Sequence, residues 1–330
     1  NGDVGLIITG FAYVHPEGKV LPGQTGIHAD DHIPDLLSLT TAIHKAGGRV
    51  AIQMAHGGIQ SRPYLAGLDI PPAGPSAISL PPIKNRPALK LNRELTIAEI
   101  KTMVEYFHLA AKRAKDAGFD AIQLHGAHGY LLSQFLSPFF NHRGDRYGGS
   151  LANRARFVYE VYEAVRAAVG SDYPVMIKLN CRDFVDGGLE LEDSVKAAQN
   201  LTEMGLNAVE VSGGLPWSGA FVPSRAPIDT PEKEAYFRLP AMALKEKIKA
   251  PVILVGGLRS PRVNEEILIN HQADLVSLCR PFIREPDLIK RWAGGDLAPA
   301  ACTSCGGCFT SGLKGLGISC GELNKNRAAD

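Results

Sequence analysis

The chain has 330 residues, of which 45% are hydrophobic and 21% are charged, an ordinary composition for a large globular domain. Lys and Arg total 35 against 34 for Asp and Glu, so no excess charge favours nucleic acid or an anionic membrane as partner. A small-molecule substrate is favoured instead, and the composition leaves a homo-oligomer open. No apolar run reaches the roughly 20 residues of a membrane span and no secretory signal opens the chain, so we expect a cytoplasmic protein.

Short β-branched runs alternate with amphipathic helical patterns along the chain. Seven runs are predicted strands: VGLIIT from residue 4, VAIQMAH from 50, AIQLHG from 121, VMIKLN from 175, AVEVSG from 208, VILVGG from 252 and LVSLCR from 275. Helices are predicted over 35–46, 98–117, 151–168, 191–204, 239–248, 262–269 and 286–292. Thr96 and Glu99 form a capping box ahead of the second helix. The alternation predicts βα units around a parallel sheet.

This order predicts a (β/α)8 TIM barrel, in which polar residues at the carboxyl ends of the strands form the active site. Only seven strands are visible and NGDVG at the start resembles the end of a helix, so we expect the first strand to be absent from this chain. We predict a barrel over 1–295 and a Cys-rich tail over 296–330. The alternative is a doubly wound open sheet, but no GxGxxG motif follows any early strand of this sequence, as that fold would lead us to expect.

Two connections are long for a compact domain, residues 57–95 and 213–238. Both follow strand ends, so both should lie on the same face of the barrel. Loops of this length are usually lids or binding loops. We therefore expect them to border the active site.

The stretch IQLHGAHGYLLSQFLSPFFNHRGDRYGGS, from residue 122, places His125, His128 and Tyr130 directly behind an apolar run. Two neutral imidazoles can donate hydrogen bonds to one carbonyl oxygen, and a phenol can protonate a developing carbanion. The alternative is that the histidines are satisfied core residues or metal ligands and that Tyr130 only packs. Arg143 and Asp145, further along the stretch, are predicted to form a structural ion pair.

Together with AIQMAHGG, RYGGSLANRARF, VMIKLN, VILVGG and LCRPFIREPDL, this stretch resembles the Old Yellow Enzyme family of FMN-dependent ene-reductases over nearly the whole chain. The resemblance implies that His125 and His128 hold the activating group of the substrate over the flavin. It implies that Tyr130 protonates the carbon α to that group while hydride goes to the β carbon. NADH or NADPH would reduce the flavin from the same pocket, because the chain shows no Rossmann fingerprint.

The same resemblance implies a set of FMN contacts. Gln53 would bond the pyrimidine edge, and Lys178 would place a cation beside N1 and O2; a lysine in so apolar a strand needs a counter-charge. The last two strands of a barrel commonly form a phosphate site. Backbone N–H groups of Gly256 and Gly257 and the guanidinium of Arg280 are the predicted donors there. Cys279, beside them, is also predicted to contact the cofactor, at a position where the family usually has glycine.

Four cysteines crowd the tail: Cys302, Cys305 and Cys308 in a C-x2-C-x2-C pattern, and Cys320 after a further eleven residues. Four thiolates are the usual ligands of a [4Fe–4S] cluster or a closed zinc site, and free thiols are the third alternative. The tail resembles the 2,4-dienoyl-CoA reductase and trimethylamine dehydrogenase branch of the family, in which the middle gap is one residue longer. That resemblance implies a cluster that passes electrons to the flavin.

Three rival functions stay open from the sequence. One is an iron–sulfur flavoprotein dehydrogenase or dienoyl-CoA reductase-like enzyme. A second is a flavin-free, phosphate-binding barrel lyase that uses Lys178 as a Schiff-base nucleophile. The third is a non-catalytic binding or regulatory protein, which the complete His125, His128 and Tyr130 group disfavours.

Overall fold

The computed structural model describes residues 2–83, 92–313, 315 and 317–327. The strands are β1 (Ile7–Ile8), β2 (Ala12–Tyr13), β3 (Val50–Ala55), β4 (Ala73–Gly74), β5 (Arg93–Glu94), β6 (Ala121–Gly126), β7 (Val175–Asn180), β8 (Ala208–Ser212), β9 (Val252–Val255) and β10 (Leu275–Ser277). The helices are α1 (Ile33–Lys45), α2 (Ile97–Asp116), α3 (Leu131–Leu136), α4 (Leu151–Val169), α5 (Leu191–Glu203), α6 (Arg238–Lys245), α7 (Pro261–Ile269), α8 (Arg280–Arg284), α9 (Leu288–Ala293), α10 (Gly307–Leu313) and α11 (Gly321–Arg327).

Seven parallel strands follow one another in the order β1, β3, β6, β7, β8, β9, β10, and β2 prolongs the first of them by pairing with β3. All seven predicted strands are therefore confirmed. The parallel sheet curls with its helices packed on the outside, so the predicted α/β fold of the (β/α)8 barrel class is confirmed as well. In the described part of the chain, no helix has both the length and the apolar character required to cross a membrane.

The interior of the barrel changes from apolar to polar along the strands. Its apolar layer is formed by Ala51, Ala121, Met176, Ala208 and Ile253. Because successive residues of a strand point to opposite faces, the residue two positions on returns to the interior. At those positions four of these strands carry Gln53, Gln123, Lys178 and Glu210. The carboxyl half of the barrel interior is thus built for polar chemistry.

The main hydrophobic core lies between the strands and the helices outside them. Ile122 and Ile177 from the strands pack there with Phe107 of α2 and Phe157 of α4, all fully buried. The capping box of α2 is present as predicted: the Thr96 hydroxyl accepts from the Glu99 N–H, and the Glu99 carboxylate accepts from the Thr96 N–H. This core fixes the strand ends that carry the site.

Candidate active site at the barrel mouth

A left-handed turn after β6 gathers the three predicted catalytic side chains. The ring of His125 lies 5.1 Å from that of His128 and 4.8 Å from that of Tyr130, centroid to centroid. His128 and Gly129 have φ angles of 62° and 73°, which return the chain toward the strand end. Tyr130 then occupies the N-cap of α3. The structure therefore brings all three residues together at the carboxyl end of β6.

Side-chain amides from three other elements hold this turn. The His128 N–H donates to the side-chain oxygen of Asn180 at 2.9 Å. The amide of Gln60 donates to the carbonyls of His128, at 2.9 Å, and Gly129, at 2.6 Å. Gln134 donates to the Gly129 carbonyl at 2.6 Å. These amides were not predicted from the sequence, although Asn180 carries a recognisable signal as a polar residue at a strand end.

Both histidines are held neutral. Burial, and then the charges of His128 and Lys178, holds the pKa of His125 well below its usual value. Burial, and then Lys178, lowers the pKa of His128 to about 3. Nε2 of His128 lies 2.7 Å from the hydroxyl of Ser212, at the end of β8. At neutral pH each imidazole therefore has one N–H to donate.

A buried hydrogen-bonded chain crosses the barrel beneath the turn. The Gln53 amide donates to Gln123 at 2.6 Å, and Gln123 donates to the Glu210 carboxylate at 2.8 Å. The ammonium of Lys178 lies 3.1 Å from the same carboxylate. The predicted counter-charge of Lys178 is thus confirmed, and its identity is Glu210. A single charged residue in the apolar run AVEVSG is the sequence signal that could have identified it.

The predicted phosphate donors lie at the ends of the last two strands. Gly256 and Gly257 have φ angles of 127° and 74°, and a Cβ on either would lie 2.8–2.9 Å from the Tyr236 ring, so only glycine fits there. Arg280 is buried, and its Nη1 donates to the backbone carbonyls of Arg225 and Ser304, each at 3.1 Å. Cys279, immediately before α8, is exposed.

Residues 300–304 attach the tail to this same region. The Ala300 N–H donates to the Arg259 carbonyl at 2.8 Å, and the Ala301 N–H donates to the Glu285 carboxylate at 2.6 Å. Together with the Arg280 bond to the tail, these contacts place the start of the cysteine motif beside the loops that follow β9 and β10.

The four tail cysteines differ in exposure. Cys302 and Cys320 are half-buried, Cys305 is exposed and Cys308 is buried. No three of the four sulfur atoms lie within 4.8 Å of one another. Burial alone would raise the pKa of Cys320, but two backbone N–H groups of α11 and the guanidinium of Arg284, 3.9 Å away, hold it below its usual value. No three of these thiols therefore form a ready metal site in the structure.

Among the described residues, one other group of potential metal ligands is compact: donor atoms of His15, Glu17 and His56 lie within 4.8 Å of one another. The Gly58 N–H donates to Nδ1 of His56 at 3.1 Å, so the proton of the neutral ring is on Nε2. Neither ring nitrogen then has an available lone pair for a metal ion. Glu17 is paired with Arg93 at 2.6 Å. A metal ion would have to displace both interactions, and we assign the group a structural role.

The two long loops meet at the mouth, as predicted. The indole N–H of Trp217 donates to the Pro81 carbonyl at 3.3 Å, which joins the loops after β3 and β8. Arg143 lies 2.6 Å from Asp145, which confirms the predicted structural ion pair. Arg143 also donates to the Leu95 carbonyl at 2.6 Å, at the end of the first loop.

A groove of about 480 Å³ opens at the same end of the barrel. Ile78, Leu80 and Phe139 supply apolar walls, and His142 and Asp186 are polar groups at its edge. This size lies in the range of small-molecule sites. The groove lies between the segments that follow β3, β6 and β7, and none of His125, His128 and Tyr130 lines it.

Residues 1–296 match the NADH:flavin oxidoreductase / NADH oxidase family. The chain belongs to this family. It is 37% identical over 286 residues to an NADPH dehydrogenase of Halalkalibacterium halodurans, covering 86% of this chain and 78% of that protein. It is also 37% identical over 294 residues to an NADH oxidase of Thermoanaerobacter brockii, covering 88% of this chain and 43% of that protein.

Solved structures give the same relationship. A 2-naphthoyl-CoA reductase in complex with 2-naphthoyl-CoA aligns with a TM-score of 0.88 and 30% identity, covering 97% of this chain and 49% of that chain. The old yellow enzyme homologue from Zymomonas mobilis aligns with a TM-score of 0.77 and 25% identity, covering 97% of this chain and 85% of that chain. The chain thus spans about half the length of two of these four proteins. The predicted Old Yellow Enzyme relationship and the class of NAD(P)H-dependent flavin oxidoreductase are confirmed at the level of the family.

Proposed function

We propose that the barrel mouth binds FMN and that the enzyme reduces the C=C bond of an enone- or enoyl-type substrate with electrons from NADH or NADPH. Bound FMN would supply the hydride transfer, from NAD(P)H to N5 and from N5 to the β carbon of the alkene. The observation that carries the proposal is the convergence of two neutral imidazoles and Tyr130 above a buried layer with one cation.

The residues present fit the cofactor. Gly256 and Gly257 offer backbone N–H groups in a conformation that only glycine adopts, and Arg280 adds a guanidinium for the phosphate. Gln53 matches the donor and acceptor pattern of the flavin pyrimidine edge. Lys178 would stabilise the negative charge that reduction places on the flavin, and its ion pair with Glu210 lets that cation be buried beforehand.

The two histidines would activate the substrate as hydrogen-bond donors. The Ala127 N–H lies 3.4 Å from Nδ1 of His125, which favours donation to substrate from Nε2. If the Ser212 hydroxyl donates to Nε2 of His128, the proton of that ring is on Nδ1. Both rings then donate to one carbonyl oxygen and draw electrons from the alkene. Tyr130 supplies the proton to the α carbon.

A second candidate function adds a [4Fe–4S] cluster at Cys302, Cys305, Cys308 and Cys320, which would pass electrons to the flavin. Its support is the attachment of residues 300–304 beside the predicted phosphate site. A sulfur-only donor set suits iron–sulfur chemistry. The similarity to a 2-naphthoyl-CoA reductase favours an enoyl-type thioester as substrate for this version of the enzyme.

Purified protein supplied with FMN tests the main proposal against the lyase alternative. We expect one FMN per chain, a yellow flavin spectrum and bleaching of that spectrum by NADH or NADPH without oxygen. Failure to retain FMN, combined with borohydride trapping of a carbonyl substrate on Lys178, would instead identify a Schiff-base enzyme.

A further inference from the structure

A fourth aromatic ring lies against the proposed catalytic group. Phe11 is 5.0 Å from Tyr130, with the ring planes tilted by 35°, and 5.7 Å from His125 in an edge-on arrangement, both measured between centroids. Its side chain is half-buried, like that of Tyr130, whereas His125 is buried. Phe11 therefore borders the mouth itself and has no acid, base or hydrogen-bonding group to contribute.

The fold directs Phe11 to this position. Ala12 and Val14, on the opposite face of the same segment, are buried in the main hydrophobic core. Because side chains alternate along an extended chain, Phe11 points to the barrel side. The Gln24 amide donates to the Phe11 carbonyl at 3.1 Å, and its oxygen accepts from the Val20 N–H at 2.7 Å. The backbone that presents the ring is thus braced from a second segment.

A partly exposed phenyl ring in contact with a proton donor presents its remaining apolar surface to whatever binds beside the pair. Aromatic rings prefer offset-stacked or edge-on contact with other flat π-systems, beyond the gain from burying apolar area. We infer that Phe11 is a specificity-determining residue that selects substrates whose alkene is conjugated to an aryl or similarly flat group. The inference rests on the proposed function, because it assumes that the substrate alkene lies beside Tyr130.

The test compares two enals with the same activating aldehyde, trans-cinnamaldehyde with a phenyl group on the β carbon and crotonaldehyde with a methyl group. The FMN-loaded enzyme is reduced with dithionite, so that nicotinamide binding does not enter, and its reoxidation is followed by stopped flow for each enal. We compare wild type, Phe11→Leu, which removes the ring, and Phe11→Tyr, which keeps it. Phe119→Leu is the matched control, since Phe119 is buried before the amino end of β6.

We expect Phe11→Leu to lower the preference for cinnamaldehyde over crotonaldehyde by about two- to tenfold, the effect of losing one aromatic contact. Phe11→Tyr and Phe119→Leu should keep the wild-type preference. An unchanged preference in Phe11→Leu, or an equal loss for both enals, would overturn the inference while leaving the proposed function intact. Reduced wild-type enzyme that neither enal reoxidises would overturn both.

Discussion

The turn after β6 and the cysteine tail differ in how their geometry is fixed. At the turn, side-chain amides on three other elements bond to the backbone of His128 and Gly129: Asn180 accepts from the His128 N–H, and Gln60 and Gln134 donate to the carbonyls. In the tail, residues 300–304, which include Cys302, are bonded to the barrel, but no three of the four cysteine sulfur atoms lie within 4.8 Å of one another. One region is preorganised by the protein, whereas in the described part of the other no three of the thiols are held together.

This difference shows what each motif needs. A catalytic group that binds substrate must be rigid before the substrate arrives, because ordering it later costs binding energy. Metal-site ligands are commonly ordered by the metal itself, since metal binding is coupled to folding. We therefore expect the turn to tolerate little change, and we expect the four tail thiols to come together only if a metal ion or cluster binds them.

The largest effect is expected from Tyr130→Phe, which keeps the ring and removes the proton. Reoxidation of the reduced enzyme by an enone should slow by about 10²–10⁴-fold, the usual contribution of a positioned acid. Reduction by NAD(P)H should stay close to wild type, because that half-reaction needs no such proton. Tyr159→Phe is the control, a tyrosine of α4 whose hydroxyl bonds to Asn200. Equal slowing of both half-reactions would mean that Tyr130 has a structural role.

The tail prediction concerns iron content. If the four cysteines hold a [4Fe–4S] cluster, anaerobically prepared protein should contain about four iron atoms per chain, and Cys308→Ser should lose them. Cys181→Ser is the control, because Cys181 is a buried thiol of the barrel whose pKa is raised to about 12 by burial. Iron and sulfide assays decide the matter. Fully active protein that contains neither iron nor sulfide would rule out the cluster and leave a zinc site or free thiols as the state of the four cysteines.

A smaller effect is expected at the phosphate site. Arg280→Ala removes a charge-assisted contact worth about 1.5–3 kcal/mol and should weaken FMN binding by about ten- to a hundredfold. Arg280→Lys keeps the positive charge but not the forked guanidinium, so its FMN affinity should lie between those of wild type and Arg280→Ala. FMN affinity is measured by fluorescence, with thermal unfolding as a check because Arg280 also bonds two backbone carbonyls. Wild-type FMN affinity in a stable alanine variant would exclude Arg280 from the phosphate site.

The smallest expected effect is that of pH on substrate binding. Because the pKa of His128 is lowered to about 3 and that of His125 lies well below its ordinary value, we expect neither ring to titrate near pH 6.5. Affinity for a carbonyl ligand should then show no step near pH 6.5. Because this pKa is lowered on folding, the contribution of His128 to the free energy of unfolding is fully present above about pH 6.5 and is lost as the pH falls toward 3. A binding step near pH 6.5 would mean that a histidine of the site titrates normally.

Sequence patterns predicted the barrel strands because strands follow from local rules, whereas the roles of His125, His128 and Tyr130 came from the family resemblance and stay a prediction. The periods of 2 and 3.6 residues identify buried strands and amphipathic helices wherever an element is long enough. Helices α3 and α8, with six and five residues, are too short for such a pattern. The strands β4 and β5 have two residues each and were missed for the same reason.

The supporting residues of the site were harder to predict. Gln60 and Gln134 belong to segments after different strands, and only the folded chain brings them to the carbonyl of Gly129. Phe11 was not singled out because a phenylalanine beside a strand is usually a core residue. Glu210 could have been found, since Lys178 requires a partner and AVEVSG contains the one charge in a buried run.

Whether this barrel mouth reduces an activated alkene can be decided by an anaerobic titration. Wild-type enzyme with bound FMN is reduced by one equivalent of NADPH or NADH and then mixed with 2-cyclohexenone, while the flavin absorbance is followed and the products are analysed. We expect the flavin to be reoxidised and one equivalent of cyclohexanone to form for each flavin. Flavin that stays reduced in excess enone, yet is reoxidised when oxygen is admitted, would show that the enzyme does not reduce activated alkenes.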